Sequence, residues 1–178
     1  MIAYFTGTIN GQGDRFGMPY LIDGHNLIPK IRGLSLSALD DEERLIWLLQ
    51  EFCRIRRVKG LEVYFDKAAP GRAGTFRRGL VTAHFVPAGQ SADEAIRLRL
   101  KALKKSARNW TVVSADRQVR SEAASAQARV ISSEEFARLV EDALREGPPP
   151  GDPQEPVVSS DELEEWLRLF SQRKPGAS

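Results

Sequence analysis

Short strand-like runs alternate with amphipathic helical stretches along most of this chain, and this alternation restricts its fold more than any other feature. The strand-like runs are Tyr20–Asp23, Leu61–Phe65 and the ranges 80–86, 110–116 and 128–132. Helical spacing of apolar residues covers 40–58, 91–107, 117–127 and 132–146. Because strands joined through helices by short connections form parallel sheets, we predict an α/β fold: a central, mostly parallel sheet of about four to five strands with helices on both faces.

Local signals refine this prediction at three places. Ser91 is placed to cap the helix that follows it, and Ser132 with Glu135 forms a capping box. The segment "DKAAPGRAGTFRRG", 66–79, is rich in Gly and Arg, so we predict a loop between the second and third strands. These signals set the expected boundaries of the elements.

The two ends of the chain differ in composition from its middle. Residues 1–17 are Gly-rich and aperiodic, which predicts a disordered extension, and Met18 is a candidate for the native start. A domain is expected over 18–146, followed by a Pro- and Gly-rich linker at 147–159. The range 160–171 predicts a capped C-terminal helix that docks on the domain, and 172–178 a disordered tail.

Composition excludes several classes of protein. No apolar run approaches the roughly 18 residues that span a bilayer, so we expect no membrane segment. The single cysteine, Cys53, excludes a disulfide framework and a cysteine metal site, and we expect it to be buried. Such cysteine use fits a reducing compartment, so a cytoplasmic location is expected.

Charge is distributed unevenly along the chain. Between Arg54 and Arg120 there are 16 basic and 5 acidic residues, whereas both flanking segments are net acidic. This middle segment fits either a surface that binds a polyanion or a set of solvated helix faces. The candidate RNA contacts are Arg72, Arg77 and Arg78 in the predicted loop, with Lys101, Lys104, Lys105 and Arg108 on the basic helix.

Carboxylates follow several of the predicted strands. Asp23, Asp66 and Asp116 come at strand ends, and Asp93 opens the helix after the third strand. Each one alone is a common helix cap or turn former, but together they are expected to meet at the carboxyl edge of the sheet. Such a group would raise its own pKa values unless a cation neutralised it, and oxygen ligands suit Mg²⁺ or Mn²⁺.

Other polar residues near these positions have alternative roles, one functional and one structural. Asn26 either orients Asp23 or a metal-bound water, or makes local turn hydrogen bonds. Glu94 is an auxiliary metal ligand or a favourable first-turn charge. His25 either contacts substrate or donates to a neighbour, and His84 is expected to be a core or sheet-face residue. With only two histidines and no G-x-S-x-G, no nucleophilic triad is indicated.

Four segments in this order, "YLIDGHNLI", "LEVYFD", "GQSADEAIRLRL" and "TVVSAD", resemble the YacP-like branch of the NYN nucleases in the PIN-like superfamily. The resemblance covers about 18–146 and extends to the terminal "SSDELEEWLRLF" helix. It implies a PIN-like fold, metal-dependent cleavage of single-stranded RNA, and an acidic cluster onto which Asp23, Asp93 and Asp116 map. Asp66 falls at a motif position of less certain role, and His25 stands where tyrosine is frequent. Members of this branch have been linked to translating ribosomes.

The residues and the resemblance together predict a metal-dependent endoribonuclease. Asp23, Asp93 and Asp116 would hold Mg²⁺ or Mn²⁺, with Asp66 as a further candidate ligand and Asn26 beside them. Single-stranded RNA, with mRNA as the favoured case, is the expected substrate, and the ribosome is a possible partner. Alternatives are a non-catalytic RNA-binding module on the same fold and a phosphatase of another acidic α/β family. A dinucleotide-binding protein is disfavoured because no G-x-G-x-x-G follows the first strand.

Overall fold

The computed structural model describes residues 17–36, 40–68 and 71–148. Its strands are β1 (Tyr20–Asp23), β2 (Leu61–Phe65), β3 (Gly74–Arg78), β4 (Val81–Phe85), β5 (Thr111–Val113) and β6 (Arg129–Ile131). Its α-helices are α1 (Gly24–Leu27), α2 (Asp41–Arg56), α3 (Ala92–Leu103), α4 (Arg117–Ser125) and α5 (Ser133–Glu146). Short 3₁₀ turns follow α1 at Ile28–Lys30 and α3 at Lys104–Asn109. The helices and strands predicted between 20 and 146, apart from the segment 66–79, are thereby confirmed, with small shifts at their ends.

The six strands form one sheet in the order β3-β4-β2-β1-β5-β6. Every neighbouring pair is parallel except β3 with β4, which is antiparallel. The predicted α/β class with a mostly parallel sheet is confirmed. β1 lies inside the sheet between β2 and β5, so its carboxyl end is flanked by the ends of both neighbours.

Strand β3 is the one strand among the described residues that the sequence did not predict; the four-residue helix α1 was not predicted either. Its residues, "GTFRR", lie inside the segment expected to be a loop, and four of its five side chains are exposed. An edge strand pairs through its backbone on one side only, so it needs neither the apolar alternation nor the β-branched residues that mark interior strands. The antiparallel pairing of Gly74 with Phe85 and of Arg78 with Val81 holds it in place.

Helices cover both faces of the sheet. Neighbouring side chains of β1 point to opposite faces, so that Ile22 packs among α2 and α5 while Leu21 packs among α3 and α4. The predicted apolar face of α2 is buried, and Cys53 within it is fully buried, as expected. Aromatic contacts join α2 and α5 over β1, where the Phe52 and Phe136 rings lie 5.2 Å apart. The sheet is therefore rigidly held on both sides of the β1 end.

Some predictions concern parts of the chain outside the described residues. The N-terminal extension, apart from Gly17, and the C-terminal helix and tail fall there, as does the linker beyond Pro148. Among the helices of the described ranges, none combines the length and the apolar character needed to cross a membrane.

Candidate active site

The four aspartates singled out by their positions sit at the carboxyl side of the sheet. Asp23 is the last residue of β1, Asp66 directly follows β2, and Asp116 precedes α4 just after β5. Asp93 is the second residue of α3, the helix that follows β4. Since β4, β2, β1 and β5 are neighbouring parallel strands, their carboxyl ends share one edge. The electrostatic effects of these groups on one another, described below, show that they lie close together.

Asp23 is buried at the junction of β1 and α1. Its Oδ1 accepts a hydrogen bond from the Asn26 backbone N–H at 3.1 Å, and its Oδ2 accepts one from Asn26 Nδ2 at 2.8 Å. The pKa of Asp23 is raised to about 6, mainly by burial and in smaller part by the Asp93 and Asp66 charges, against the opposing effect of the Asn26 backbone hydrogen bond. The carboxylate is thus held in a fixed orientation but is costly to ionise.

Gly24 allows the chain to turn sharply into this position. A Cβ placed on Gly24 would lie 2.3 Å from Cε1 of Phe65, which is far inside van der Waals contact. The "DGHN" sequence therefore has a packing reason for its glycine, because Phe65 of β2 fills the space where a side chain would stand. This close approach draws the Asp23 end of β1 against the end of β2.

Asp93 is positioned by the start of α3. Ser91 caps this helix, as predicted, by accepting a hydrogen bond from the Glu94 backbone N–H at 3.1 Å. Burial raises the pKa of Asp93, and the charge of Asp116 raises it further, while a hydrogen bond with Asp23 opposes the rise. Asp93 Oδ1 is buried and has no hydrogen-bond partner among the described residues. An oxygen in that state is placed to accept a ligand that carries positive charge.

Asp116 combines a capping role with a place in the acidic group. Its Oδ1 accepts from the Val119 backbone N–H at 2.8 Å, so it is the N-cap of α4. Its own backbone N–H donates to Ser114 Oγ at 3.0 Å, and Ser114 is fully buried. The capping interpretation of Asp23 and Asp116 is therefore correct for both, and it coexists with their proximity to Asp93.

Asp66 and His25 form a small network with a residue that the sequence did not single out as a site residue, Glu42. His25 Nδ1 lies 2.6 Å from Asp66 Oδ1, and His25 Nε2 lies 3.1 Å from Glu42 Oε1. The His25 ring also contacts the Phe65 ring edge to face, with centroids 5.5 Å apart. One Asp66 oxygen is thus occupied by His25, which has the structural role considered for it. Glu42 was visible only as part of an acidic first helical turn, and that pattern gives no sign of a contact with His25.

Glu94 and His84 occupy more peripheral positions. Glu94 is exposed, and its backbone N–H completes the Ser91 cap. His84 is half-buried on the sheet face, where its ring stacks on Tyr64 with centroids 4.5 Å apart. Burial lowers the pKa of His84. The prediction of a sheet-face role for His84 is confirmed.

The candidate RNA contacts fall into two separate groups. Arg72, Arg77 and Arg78 lie on or beside β3. Lys101 is exposed near the end of α3, and Lys104, Lys105 and Arg108 are exposed on the 3₁₀ turn after it. At about 1.5 Å per helical residue, Lys104 lies roughly 16 Å along the α3 axis from Asp93. The basic residues at the end of α3 are therefore well removed along the helix from Asp93.

The acidic group meets part of what a divalent cation requires of its ligands. In the ranges 17–36, 40–68 and 71–148, no three His, Cys, Asp or Glu side chains form a ready metal-binding group. Mg²⁺, however, often takes only one or two carboxylates and keeps several waters. Two observations fit such a partly hydrated ion: Asp93 Oδ1 has no hydrogen-bond partner among the described residues, and the raised pKa of Asp23 shows that its charge is not neutralised by the protein. Asp116 is close enough for its charge to raise the pKa of Asp93.

Comparison with known proteins gives a family match and a fold match. The model of the YacP-like NYN domain matches residues 20–148. A crystal structure of Rae1 (YacP) from Bacillus subtilis is similar with a TM-score of 0.59 and 24% identity, covering 71% of this chain and 75% of that one. A point mutant of that protein matches with a TM-score of 0.57 and 22% identity, covering 85% of this chain and 91% of that one. Comparison with curated proteins gave no match.

Proposed function

This chain belongs to the YacP-like NYN family, a nuclease-type family, and from that membership we propose that it is a metal-dependent endoribonuclease acting on single-stranded RNA. The observation that carries the proposal is the pairing of Asp23 and Asp93 near the end of β1, together with the buried Asp93 Oδ1 that has no hydrogen-bond partner among the described residues. A binding module has no need to keep such a costly arrangement of carboxylates. A metal-dependent hydrolase does.

In this proposal Asp23 and Asp93 hold Mg²⁺ or Mn²⁺, and Asp116 contacts the ion directly or through water. The bound ion would supply an activated water and neutralise charge on the phosphoryl oxygens. Asn26 keeps Asp23 oriented through two hydrogen bonds, and the Ser91 cap fixes the first turn that carries Asp93. Asp66 is a less direct participant, because one of its oxygens faces His25.

The substrate and partners follow from charge and family. The basic segment between Arg54 and Arg120 supports a polyanionic substrate, and we place mRNA first among single-stranded RNAs. We further propose a cytoplasmic enzyme whose RNA is presented by the translating ribosome. The ribosome would then position the scissile phosphodiester at the aspartates.

Cleavage of an end-labelled mRNA tests the nuclease proposal. The full chain is incubated with the mRNA, free and on translating ribosomes, in Mg²⁺, Mn²⁺ or EDTA, beside Asp93→Asn. Asp142→Asn, which removes an exposed carboxylate of α5, is the matched control. We expect internal cuts in either metal with the native chain and the control, and a loss of at least about 100-fold with Asp93→Asn.

Two results would contradict the nuclease proposal, and a third would contradict the role of Asp93. Binding of RNA without cuts in any condition, ribosomes included, would favour the non-catalytic module. Hydrolysis of a small phosphate ester with RNA left intact would favour the phosphatase. Cuts that are equal in Asp93→Asn and Asp142→Asn would remove Asp93 from the active site.

A further inference from the structure

A groove of about 470 Å³ lies between α2 and the β3–β4 hairpin. Its walls are built mainly by Trp47 and Glu43 of α2, Phe76 and Arg78 of β3, Phe85 of β4, and Arg72. This volume is within the range of pockets that take small organic ligands, so one nucleotide fits it. The groove is separate from the acidic group, and nothing in the proposed hydrolysis uses its aromatic residues.

Aromatic rings and guanidinium groups alternate along the groove. The Arg78 guanidinium lies over the Trp47 ring, 3.5 Å from its centroid, and the Arg72 guanidinium lies over the Phe85 ring at 4.9 Å. Phe76 stands 51% exposed on the edge strand. Planar guanidinium groups and aromatic rings are the surfaces on which unpaired bases stack.

The charge of Arg72 is compensated by two carboxylates. Arg72 pairs with Glu42 at 3.3 Å and with Glu43 at 3.5 Å. A phosphate would have to compete with these carboxylates for Arg72, whereas an uncharged planar ring would not. Arg72 is therefore better suited to stack on a base than to bind the backbone, which differs from the backbone contact first considered for it.

Contacts connect one end of the groove to the acidic site. Arg72 contacts Glu42, Glu42 contacts His25, and His25 contacts Asp66. The Phe85 ring stacks on Phe65, with centroids 5.2 Å apart, and Phe65 in turn touches His25. These contacts link one end of the groove to Asp66, one of the four aspartates at the carboxyl edge of the sheet.

We propose that this groove binds one unpaired base of the RNA strand next to the cleavage site. The base stacks on Phe76 and on the outer side of the Arg78 guanidinium, which Trp47 supports from beneath. This inference rests on the proposed function, because the RNA that it describes is the proposed substrate. In this proposal the residues of β3 select which nucleotide of the RNA lies at the aspartates, and the aspartates take part in the hydrolysis.

Binding without cleavage provides the test. The probe is a fluorescein-labelled single-stranded RNA of roughly 12 nucleotides, read by anisotropy in EDTA, beside an abasic strand with the same ribose-phosphate backbone. The full chain is compared with Phe76→Ala and Trp47→Leu. Leu98→Ala, which trims a side chain of α3 that is 59% exposed, is the matched control. Circular dichroism checks that each variant is folded.

We expect Phe76→Ala to weaken binding of the normal strand about tenfold, with no change for the abasic strand or in Leu98→Ala. Because Phe76 is half exposed, this variant should fold even where Trp47→Leu does not. Unchanged binding by folded Phe76→Ala would overturn the inference. Equal losses for both strands would also overturn it, since they would indicate a backbone contact. A change in oligomeric state of Phe76→Ala would instead indicate pairing of two β3 edges.

The two proposals fail in different ways. Normal cleavage by the native chain together with unchanged binding by Phe76→Ala would reject the groove and leave the nuclease intact. Absence of cleavage by the native chain, with base-dependent binding that Phe76→Ala weakens, would reject the nuclease and leave the groove. Absence of RNA binding by the native chain would reject the groove whatever the cleavage assay shows.

Discussion

At the scale of single residues, the Asp23 carboxyl group is held in a fixed orientation, but ionising it costs free energy. Two hydrogen bonds from Asn26 fix its orientation, and ionised oxygen is the better acceptor for both. Burial acts in the opposite direction and is the stronger effect, since the pKa of Asp23 rises to about 6. Without a cation, the folded protein therefore holds a proton on Asp23 more tightly than the unfolded chain does.

This shift has a consequence for stability against pH. A carboxyl whose pKa is higher in the folded state stabilises the fold fully below its unfolded pKa, near 4, and that contribution is lost as pH rises through about 6. Asp23→Asn cannot ionise, so in EDTA at pH 8 we expect it to be more stable than the native chain by up to about 3 kcal/mol. Urea unfolding at pH 8 and at pH 5 measures the difference, which should shrink at the lower pH.

Asp142→Asn is the control for that measurement, because the Asp142 carboxylate is exposed beside Arg145. It should change stability by less than about 0.5 kcal/mol at both pH values. Equal or lower stability of Asp23→Asn at pH 8 would show that the hydrogen bonds of Asp23 outweigh the cost of its burial.

At the scale of elements, the start of a helix sets the position of a site residue. Asp93 stands two residues after the Ser91 cap, so its direction depends on how well the first turn of α3 is formed. Helix α5 begins in the same way, with Ser132 Oγ accepting from the Glu135 backbone N–H at 3.0 Å, but it carries none of the four aspartates. The two caps form a matched pair that separates stability from activity.

We expect Ser91→Ala and Ser132→Ala to destabilise the fold by similar amounts, about 1 kcal/mol each, because each removes one capping hydrogen bond. Only Ser91→Ala should also lower RNA cleavage, by roughly tenfold, since fraying of the first turn moves Asp93. Urea unfolding and the mRNA cleavage assay, run on both variants at a temperature where both stay folded, give the comparison. Equal activity of the two variants would show that Asp93 is positioned without the cap.

At the scale of the whole molecule, the sheet order brings together residues that are far apart in sequence. Asp23 and Asp93 belong to separate β–α units, and they meet because β1 lies between β2 and β5 while α3 packs over them. Their shared charge destabilises the metal-free fold. Neutralising this charge should therefore be visible as stability of the entire domain, independently of any reaction.

Mg²⁺ should accordingly raise the melting temperature of the full chain. At a concentration about 100 times the dissociation constant, binding contributes about 2.7 kcal/mol, which corresponds to roughly 5 °C or more for a domain of this size. Asp93→Asn should show little of this shift, whereas Asp142→Asn should show all of it. Differential scanning calorimetry in Mg²⁺ and in EDTA makes the measurement. A shift of the same size in Asp93→Asn would place the ion elsewhere.

Most helices and strands, and the fold class, could be predicted from the amino-acid sequence because they depend on local chemistry. The period of apolar residues predicted α2 and β2, and serine caps predicted where α3 and α5 begin. The aspartates at strand ends could also be identified, since parallel strands present their carboxyl ends at one edge.

The contacts that these residues make could not be predicted, because they depend on how the sheet is assembled. Strand β3 carries no apolar pattern and exists because β4 offers it a backbone to pair with. His25 contacts Glu42, and the Arg78 guanidinium packs over the Trp47 ring. Both contacts join segments that are distant in sequence, and no periodic pattern of residues predicts them. The burial that raises the pKa of Asp23 is likewise a property of the packed layers around β1. Local order was readable because each residue constrains its near neighbours, whereas long-range contacts depend on where the whole sheet places them.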